Sequence, residues 1–349
     1  MYLLMPMSFA LLQRYPRMKR YSTWASLPLI SAALIGASFA QTVTQLVGFQ
    51  GVLYAIGGNL IFTPTVTYLD EWFVRRKGLA IGIMWAGDGV GGVVMPLLLQ
   101  TLLTRFGYRN TLRGLACAMV VVMAPLLAFL RPRLPISKTT ASRPVDVSFL
   151  RNRAFWILQA FNIVRGTGYF LPSNYLPAYA HSIGISSNLG SLMLVLVNVA
   201  SVAGCVVVGA LVDRIDITSI LLGIGMGSGI AIFAVWGVSG SLASLSIFAL
   251  LYGATASTYS TAWSGIIKEV QPGSASADGN VVLGFLAAGR GIGAIASGPL
   301  SEAFIAHVKP SPQSDLVGYT GRFGPLIILS GSTALAGGLS WFVRKAKLM

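Results

Sequence analysis

Residues Gly82–Gly92 read GIMWAGDGVGG, and residues Gly284–Ala294 read GFLAAGRGIGA, 202 positions further on. Gly82, Ala86, Gly87, Gly89 and Gly91 all return in the second copy, while Asp88 returns as Arg290. A weaker echo lies at an offset of 200, where ALLQR (Ala10–Arg14) faces ALVDR (Ala210–Arg214). Two copies of one segment imply a chain built from two related halves. The sequence around them is almost entirely apolar, which decides the solvent in which those halves fold.

Hydrophobic residues make up 54% of the 349 positions and charged residues 10%, with a mean hydropathy of +0.73. A soluble domain carries about 25% charged residues, so the expectation is an all-α integral membrane protein. A span needs about 20 apolar residues. Eleven candidates follow: 1–12, 24–43, 46–68, 79–103, 111–130, 154–178, 187–212, 217–238, 243–267, 281–305 and 323–343. The first is too short to cross comfortably.

The net charge of +15 raises the question of a nucleic-acid partner, and its distribution answers it. With the amino terminus outside, the inner loops take Arg14, Arg17, Lys19 and Arg20; Arg75, Arg76 and Lys77; Arg131, Arg133, Lys138, Arg143, Arg151 and Arg153; Arg214; Lys268; and Arg344, Lys345 and Lys347. Outer loops keep Arg105, Arg109, Arg113, Lys309 and Arg322, and Arg165 and Arg290 lie inside spans. That bias is the positive-inside rule, so the basic balance reports topology and no nucleic-acid partner. Cys117 and Cys205 fall within spans, which implies neither a disulfide framework nor a zinc site. No cofactor, metal or catalytic residue is expected. His181 and His307 stand far apart in outer loops, which argues against a membrane-embedded enzyme.

Residues 1–130 form an amino-terminal helical half of five spans, 131–153 a polar, Pro- and Ser/Thr-bearing cytoplasmic linker, and 154–349 a carboxy-terminal half of six. If the halves are repeats, the first lacks one helix. The open readings are an internal start at Met1 in a longer gene, or a genuine eleven-span chain. Paired halves of this kind are the build of secondary transporters, with the pathway between them.

Several motifs carry a resemblance. GALVDR (Gly209–Arg214), EWFVRRKGLAIG (Glu71–Gly82), YGATASTYSTAWSGI (Tyr252–Ile266), and GRGIG followed by SGPLS (Gly289–Ser301) resemble segments of the major facilitator superfamily. Within it they are similar to the fungal monocarboxylate-porter-like group. The resemblance implies a major-facilitator-type two-half bundle of about 11 transmembrane helices, corresponding to family helices 2–12. It also implies a secondary-active transporter for a small organic acid or related metabolite, in the plasma or the vacuolar membrane. An efflux pump for a fungal secondary metabolite, or a family member that no longer transports, are the alternatives. Three departures stand out. The first family helix is absent, the expected helix 8 arginine is Cys205, and Phe9 and Gln13 replace the Gly and Asp of the helix 2–3 signature.

An ionised side chain in mid-span costs at least a few kcal/mol unless paired or hydrated, so Arg290 should face the bundle interior, as an anion contact or as a structural charge. Asp88, its counterpart in the repeat, is the carboxylate best placed for proton coupling, or a partner for Arg290. Asn162, Arg165, Tyr169 and Ser173 recur at helical spacing and share one face, which should point away from lipid. Thr255, Tyr259 and Trp263 form an aromatic stripe suited to a flat organic anion; Asn198, Ser201 and Cys205 form a polar one. The expected substrate contacts are therefore Arg165, Asn162, Tyr169, Tyr259, Trp263, Asn198 and Arg290. Asp213 and Arg214, with Arg75 and Arg76, are expected to gate the inner side. Gly87/Gly91 and Gly289/Gly293 should let helices approach closely. The partners implied are a small organic anion, a co-transported proton and the lipid bilayer.

Overall fold

The computed structural model describes residues 1–133, 145–271, 278–306 and 318–346. Residues 134–144 of the 131–153 linker, with Lys138 and Arg143, and also His307, Lys309 and Lys347, therefore lie outside the described residues. All regular structure among the described residues is helical. The helices are α1 (Met5–Arg14), α2 (Met18–Ser38), α3 (Val43–Trp72), α4 (Lys77–Phe129), α5 (Arg153–Ser182), α6 (Ser187–Val212), α7 (Ile217–Val238), α8 (Leu242–Val270), α9 (Gly279–Ala306) and α10 (Gly324–Lys345). Helix α4 is two spans in sequence: Gly107 adopts φ 70°, ψ 167° and breaks it, a conformation that glycine reaches without the Cβ penalty. With α4 counted as two, each of the eleven expected spans is occupied by a helix. Seven of these helices, α4 counted once, are long and apolar enough to cross a membrane among the described residues. Helix α1, at 10 residues, is not.

Local chemistry sets several boundaries. Thr42 and Gln45 form a capping box at the start of α3, Asn152 caps α5 through the Ala154 amide, Asp216 caps α7, and Ser241 caps α8. Each supplies an acceptor to an amide that the helix itself cannot satisfy.

Two compact units emerge. One comprises Met1–Arg75, Met95–Val147 and Ala277–Ala288; the other comprises Arg76–Val94, Ser148–Ser276 and Gly289–Met349. In the first, Ile30 and Leu34 of α2 pack with Ala116 of α4, and Tyr54, Ile61 and Met119 close around them. At its polar rim Lys19 pairs with Glu71 at 2.9 Å, the Arg133 amide donates to Glu71, and the Trp72 indole donates to the Arg131 carbonyl at 3.1 Å. Glu71 thus takes its ion-pair partner from α2. In the second unit the core is aromatic. Trp236 stacks on Phe248 at 5.2 Å, and the buried Tyr179 hydroxyl donates to the Ser239 carbonyl.

The repeat has a packing counterpart. A Cβ at Gly82 would collide with the Cys205 carbonyl oxygen and stand 3.0 Å from Gly209 Cα; a Cβ at Gly284 would stand 3.0 Å from Phe9 Cδ2 and 3.1 Å from the Met5 carbonyl carbon. Shifting Gly82 by 202 positions and Cys205 and Gly209 by 200 converts the first set of contacts into the second. Each repeat segment therefore packs at its own glycine on the matched stretch of the other echo. Along α4, the close approaches to α6 fall at Gly78, Gly82, Gly89 and Gly92, whereas Gly87 and Gly91 meet open space. The expected Gly87/Gly91 pair is thus displaced around the helix. Gly289 and Gly293 do sit tightly, against Gln159 and the Ile163 carbonyl of α5.

Candidate functional site: two buried guanidiniums among aromatic rings

The second unit brings α5, α7, α8, α9 and α10 together around Arg165, which is 4% exposed. Its Nη1 donates to the Ala334 carbonyl at 3.0 Å, and its Nη2 donates to Ser228 Oγ at 3.3 Å and the Ala256 carbonyl at 3.4 Å. The guanidinium carbon lies 4.6 Å from the centre of the Tyr259 ring. All these partners are neutral. Arg165 makes no ion pair among the described residues, and its Nε and the buried Tyr259 hydroxyl have no hydrogen-bond partner there. Buried polar groups are nearly always satisfied, which makes this pair of orphans a candidate ligand contact.

Arg290 is 7% exposed. Its Nη1 donates to Ser260 Oγ, and its guanidinium carbon stands 4.1 Å from the Tyr169 ring centre, 5.4 Å from Phe170 and 5.9 Å from Trp263. Asn162 is held from both sides: its amide donates to Gln159 Oε1 at 3.2 Å, and its Oδ1 accepts from Trp263 Nε1 at 3.3 Å. Trp263 in turn meets Trp85 of α4 edge-on at 6.0 Å. Asn162, Arg165, Gly166, Tyr169, Tyr259 and Arg290 line one small cavity of about 10 Å³, room for a single water. Gly168, Tyr169, Tyr252 and Arg165 border a second of the same size.

Five of the seven expected substrate contacts, Asn162, Arg165, Tyr169, Tyr259 and Arg290, line the first cavity, and Trp263 holds Asn162. Asn198 lies elsewhere: its amide donates to the Leu194 carbonyl at 2.8 Å, and its side chain fills the space beside Gly92 in the α4–α6 seam. Asp88 is exposed and makes no ion pair among the described residues, so it does not neutralise Arg290, which turns toward Ser260 and the rings. Residues not singled out from sequence are Gln159, Trp85, Ser260 and Tyr252, whose hydroxyl donates to the Tyr169 carbonyl at 2.6 Å. Gln159 could have been found, three positions before Asn162 on the same polar face. Tyr252 could have been found too, three positions before Thr255 on the α8 stripe, whereas Trp85 comes from α4 and leaves no spacing signal.

At the expected inner side, Asp213 accepts from the Gly78 and Leu79 amides at 3.0 Å each and from Lys268 Nζ at 2.9 Å. It thus caps the start of α4 from the loop after α6. Burial works against its ionisation, but Lys268 and the two amides outweigh that and hold the carboxyl below its ordinary value. Asp216 is likewise held low: burial opposes ionisation, while Thr218, the Ser219 amide and Arg344 favour it. Arg75, Arg76 and Arg214 are exposed. Arg76 enters α4 with φ 55°, and its carbonyl accepts from the Ala80 amide. Among the described residues no three His, Cys, Asp or Glu gather as metal ligands.

The family described as the Major Facilitator Superfamily matches residues 1–298. The chain belongs to the Major Facilitator Superfamily. It is similar to the MFS-type transporter pytF of Aspergillus terreus, at 30% identity over 188 residues covering 54% of this chain and 64% of that protein. It is similar also to the Fujikurins efflux protein of Gibberella fujikuroi, at 30% identity over 226 residues covering 63% of this chain and 48% of that protein. The chain thus spans about half to two thirds of the length of these relatives. Among solved structures, the fucose:proton symporter FucP of E. coli superimposes with a TM-score of 0.70 at 12% identity, covering 98% of this chain and 88% of that one. That likeness shows the fold, and this superfamily member is a multi-pass membrane protein.

Proposed function

We propose that this chain is a secondary-active transporter that moves a small, monocarboxylate-like organic anion by alternating access, with the anion held between Arg165 and Arg290. The halves that alternate are residues 1–130 and 154–349, joined by the 131–153 linker. The observation that carries this reading is Arg165, a fully desolvated cation that has only neutral partners among the described residues. An isolated buried charge is costly unless a counter-charge reaches it, and a carboxylate is the counter-ion that matches a guanidinium fork. Tyr169, Tyr259 and Trp263 supply flat apolar walls, and Asn162 a directional contact. The cavity of about 10 Å³ has room for a single water, so an anion enters only when the helices around it part. In this scheme Asp88 carries the coupled proton, Asp213 with Lys268 latches the inner end of α4, and the plasma membrane is the site of action.

The likeness to the Fujikurins efflux protein favours a second reading in which the same site exports a fungal secondary metabolite. Both readings need an anion at Arg165. The test is tryptophan fluorescence of the purified protein titrated with aliphatic and aromatic monocarboxylates, since Trp263 and Trp85 border the site. Saturable quenching that disappears in Arg165→Gln supports the reading; quenching that survives the substitution defeats it.

A further inference from the structure

A second, larger cavity lies in the first unit, remote in sequence from the residues above. Its volume is about 690 Å³, and Arg20 and Trp24 of α2, Tyr68 of α3, and Leu127, Leu130 and Arg131 at the end of α4 line it. That is the size range of sites for organic ligands, about 300–1,000 Å³. Its lining combines two arginines with aromatic and aliphatic side chains. Arg20 and Arg131 are exposed, and neither guanidinium makes a hydrogen bond or ion pair among the described residues. The nearby charges are already used: Lys19 and Glu71 neutralise each other at 2.9 Å, and the Arg131 backbone is pinned by the Trp72 indole. That leaves the Arg20 and Arg131 guanidiniums without a counter-charge among the described residues. Beside them the surface is oily and aromatic, with Tyr21 75% exposed, Phe129 84% and Trp24 43%.

We propose that this cavity binds an anionic phospholipid from the inner leaflet. The phosphate and headgroup carboxylate lie between Arg20 and Arg131, the Tyr68 hydroxyl faces the glycerol region, and an acyl chain runs along Trp24 and Leu127 onto the exposed apolar surface. Charge and position both select this occupant. Arg20, in the first turn of α2, and Arg131, just past α4, are at helix ends that the Lys/Arg distribution puts on the inner side, and basic pockets between transmembrane helices on that side take anionic headgroups. The exposed aromatic border suits the membrane interface and would be wasted on a free inorganic anion. A lipid seated there ties the start of α2 to the end of α4, next to the linker between the halves.

Native mass spectrometry of the full-length protein in detergent tests this with dioleoyl phosphatidylserine, dioleoyl phosphatidylcholine and inorganic phosphate as probes. Phosphatidylserine should stay bound where phosphatidylcholine does not, and phosphate should not displace it. Arg20→Gln and Arg131→Gln should each weaken phosphatidylserine about five-fold, the effect expected of one basic residue near an anionic surface, and the pair of changes more. Equal retention of both lipids, displacement by phosphate, or undiminished phosphatidylserine in the double variant would overturn the proposal. Should the double variant misfold, brominated lipids decide in otherwise wild-type protein reconstituted in phosphatidylcholine vesicles. Brominated phosphatidylserine should quench more fluorescence than brominated phosphatidylcholine, and Trp24→Phe should remove the excess. If Trp24→Phe leaves the excess in place, or there is none, the cavity does not hold the lipid.

Discussion

The Arg290 guanidinium carbon stands 4.1 Å from the centre of the Tyr169 ring, so a cation on α9 rests on an aromatic face of α5. A desolvated cation–π contact contributes about 2 kcal/mol. Tyr169→Leu should therefore lower the melting temperature of the purified protein, and Tyr169→Phe, which keeps the ring, should lower it much less. Thermal unfolding by intrinsic fluorescence checks this; equal losses from the two changes would show that the ring face is not what Arg290 uses.

Arg165 donates to three acceptors on three helices, a pattern that the planar guanidinium reaches and a lysine ammonium does not. Arg165→Lys should retain the charge yet lose at least about tenfold in substrate affinity, the equivalent of about 1.4 kcal/mol. Affinity from the tryptophan titration, with surface expression measured in parallel, separates a binding defect from a folding one.

The seam between α4 and α6 gives a prediction about packing. A methyl group at Gly82 would strike a backbone carbonyl oxygen, whereas one at Gly284 would stand 3.0 Å from both the Phe9 ring and the Pro6 Cα. The approach at Gly284 is the longer one, so a smaller shift of its neighbours relieves it. Gly82→Ala should destabilise by about 1–3 kcal/mol, the usual cost of overpacking, and Gly284→Ala by less. Chemical unfolding in detergent would rank them, and the reverse order would contradict the packing described.

The Asp213 latch carries a pH dependence of known sign. Its folded carboxyl is held below the ordinary value of about 3.9, so the stability it contributes is complete above that pH and is lost only as pH falls through the lower folded value. Between about pH 8 and 5, hydrogen-exchange protection of the Gly78 and Leu79 amides, corrected for intrinsic rates, should stay constant. Asp213→Asn should reduce it at every pH in that window. A protection that fades near neutrality would place the titrating group elsewhere.

Much of the fold was legible because its signals are local. Apolar runs placed the eleven spans within a few residues of the observed helices, and the polar face of α5 pointed to Asn162, Arg165 and Tyr169 as neighbours. What stayed hidden depends on which helix faces which. The repeat equates Asp88 with Arg290, yet one is exposed and the other buried, because Tyr169, Trp263 and Ser260 surround only the second. Asn198 has the spacing of a pocket residue, but α4 supplies the glycines that its side chain fills. Trp85 reaches the site from α4, whose place along the chain says nothing of its meeting α8.

Asp88 and Arg290 offer a further separation. Because they do not pair, the effects on stability of Asp88→Asn and Arg290→Gln should add to within about 0.5 kcal/mol, as for independent sites. If Asp88 carries the coupled proton, Asp88→Asn should in addition abolish pH-driven uptake while leaving exchange of labelled for unlabelled substrate intact. A strong coupling energy would bring the two charges together in a state other than the one described.

The central claim is that the Arg165–Arg290 pocket binds the transported anion. Counterflow in proteoliposomes tests it most directly, using the full chain, a panel of labelled aliphatic and aromatic monocarboxylates, and a neutral sugar and an organic cation as controls. The account predicts counterflow of at least one carboxylate and of neither control, abolished in Arg165→Gln protein that is inserted to the same level. Counterflow of the sugar or the cation but of no carboxylate, or carboxylate counterflow that survives Arg165→Gln, would contradict it.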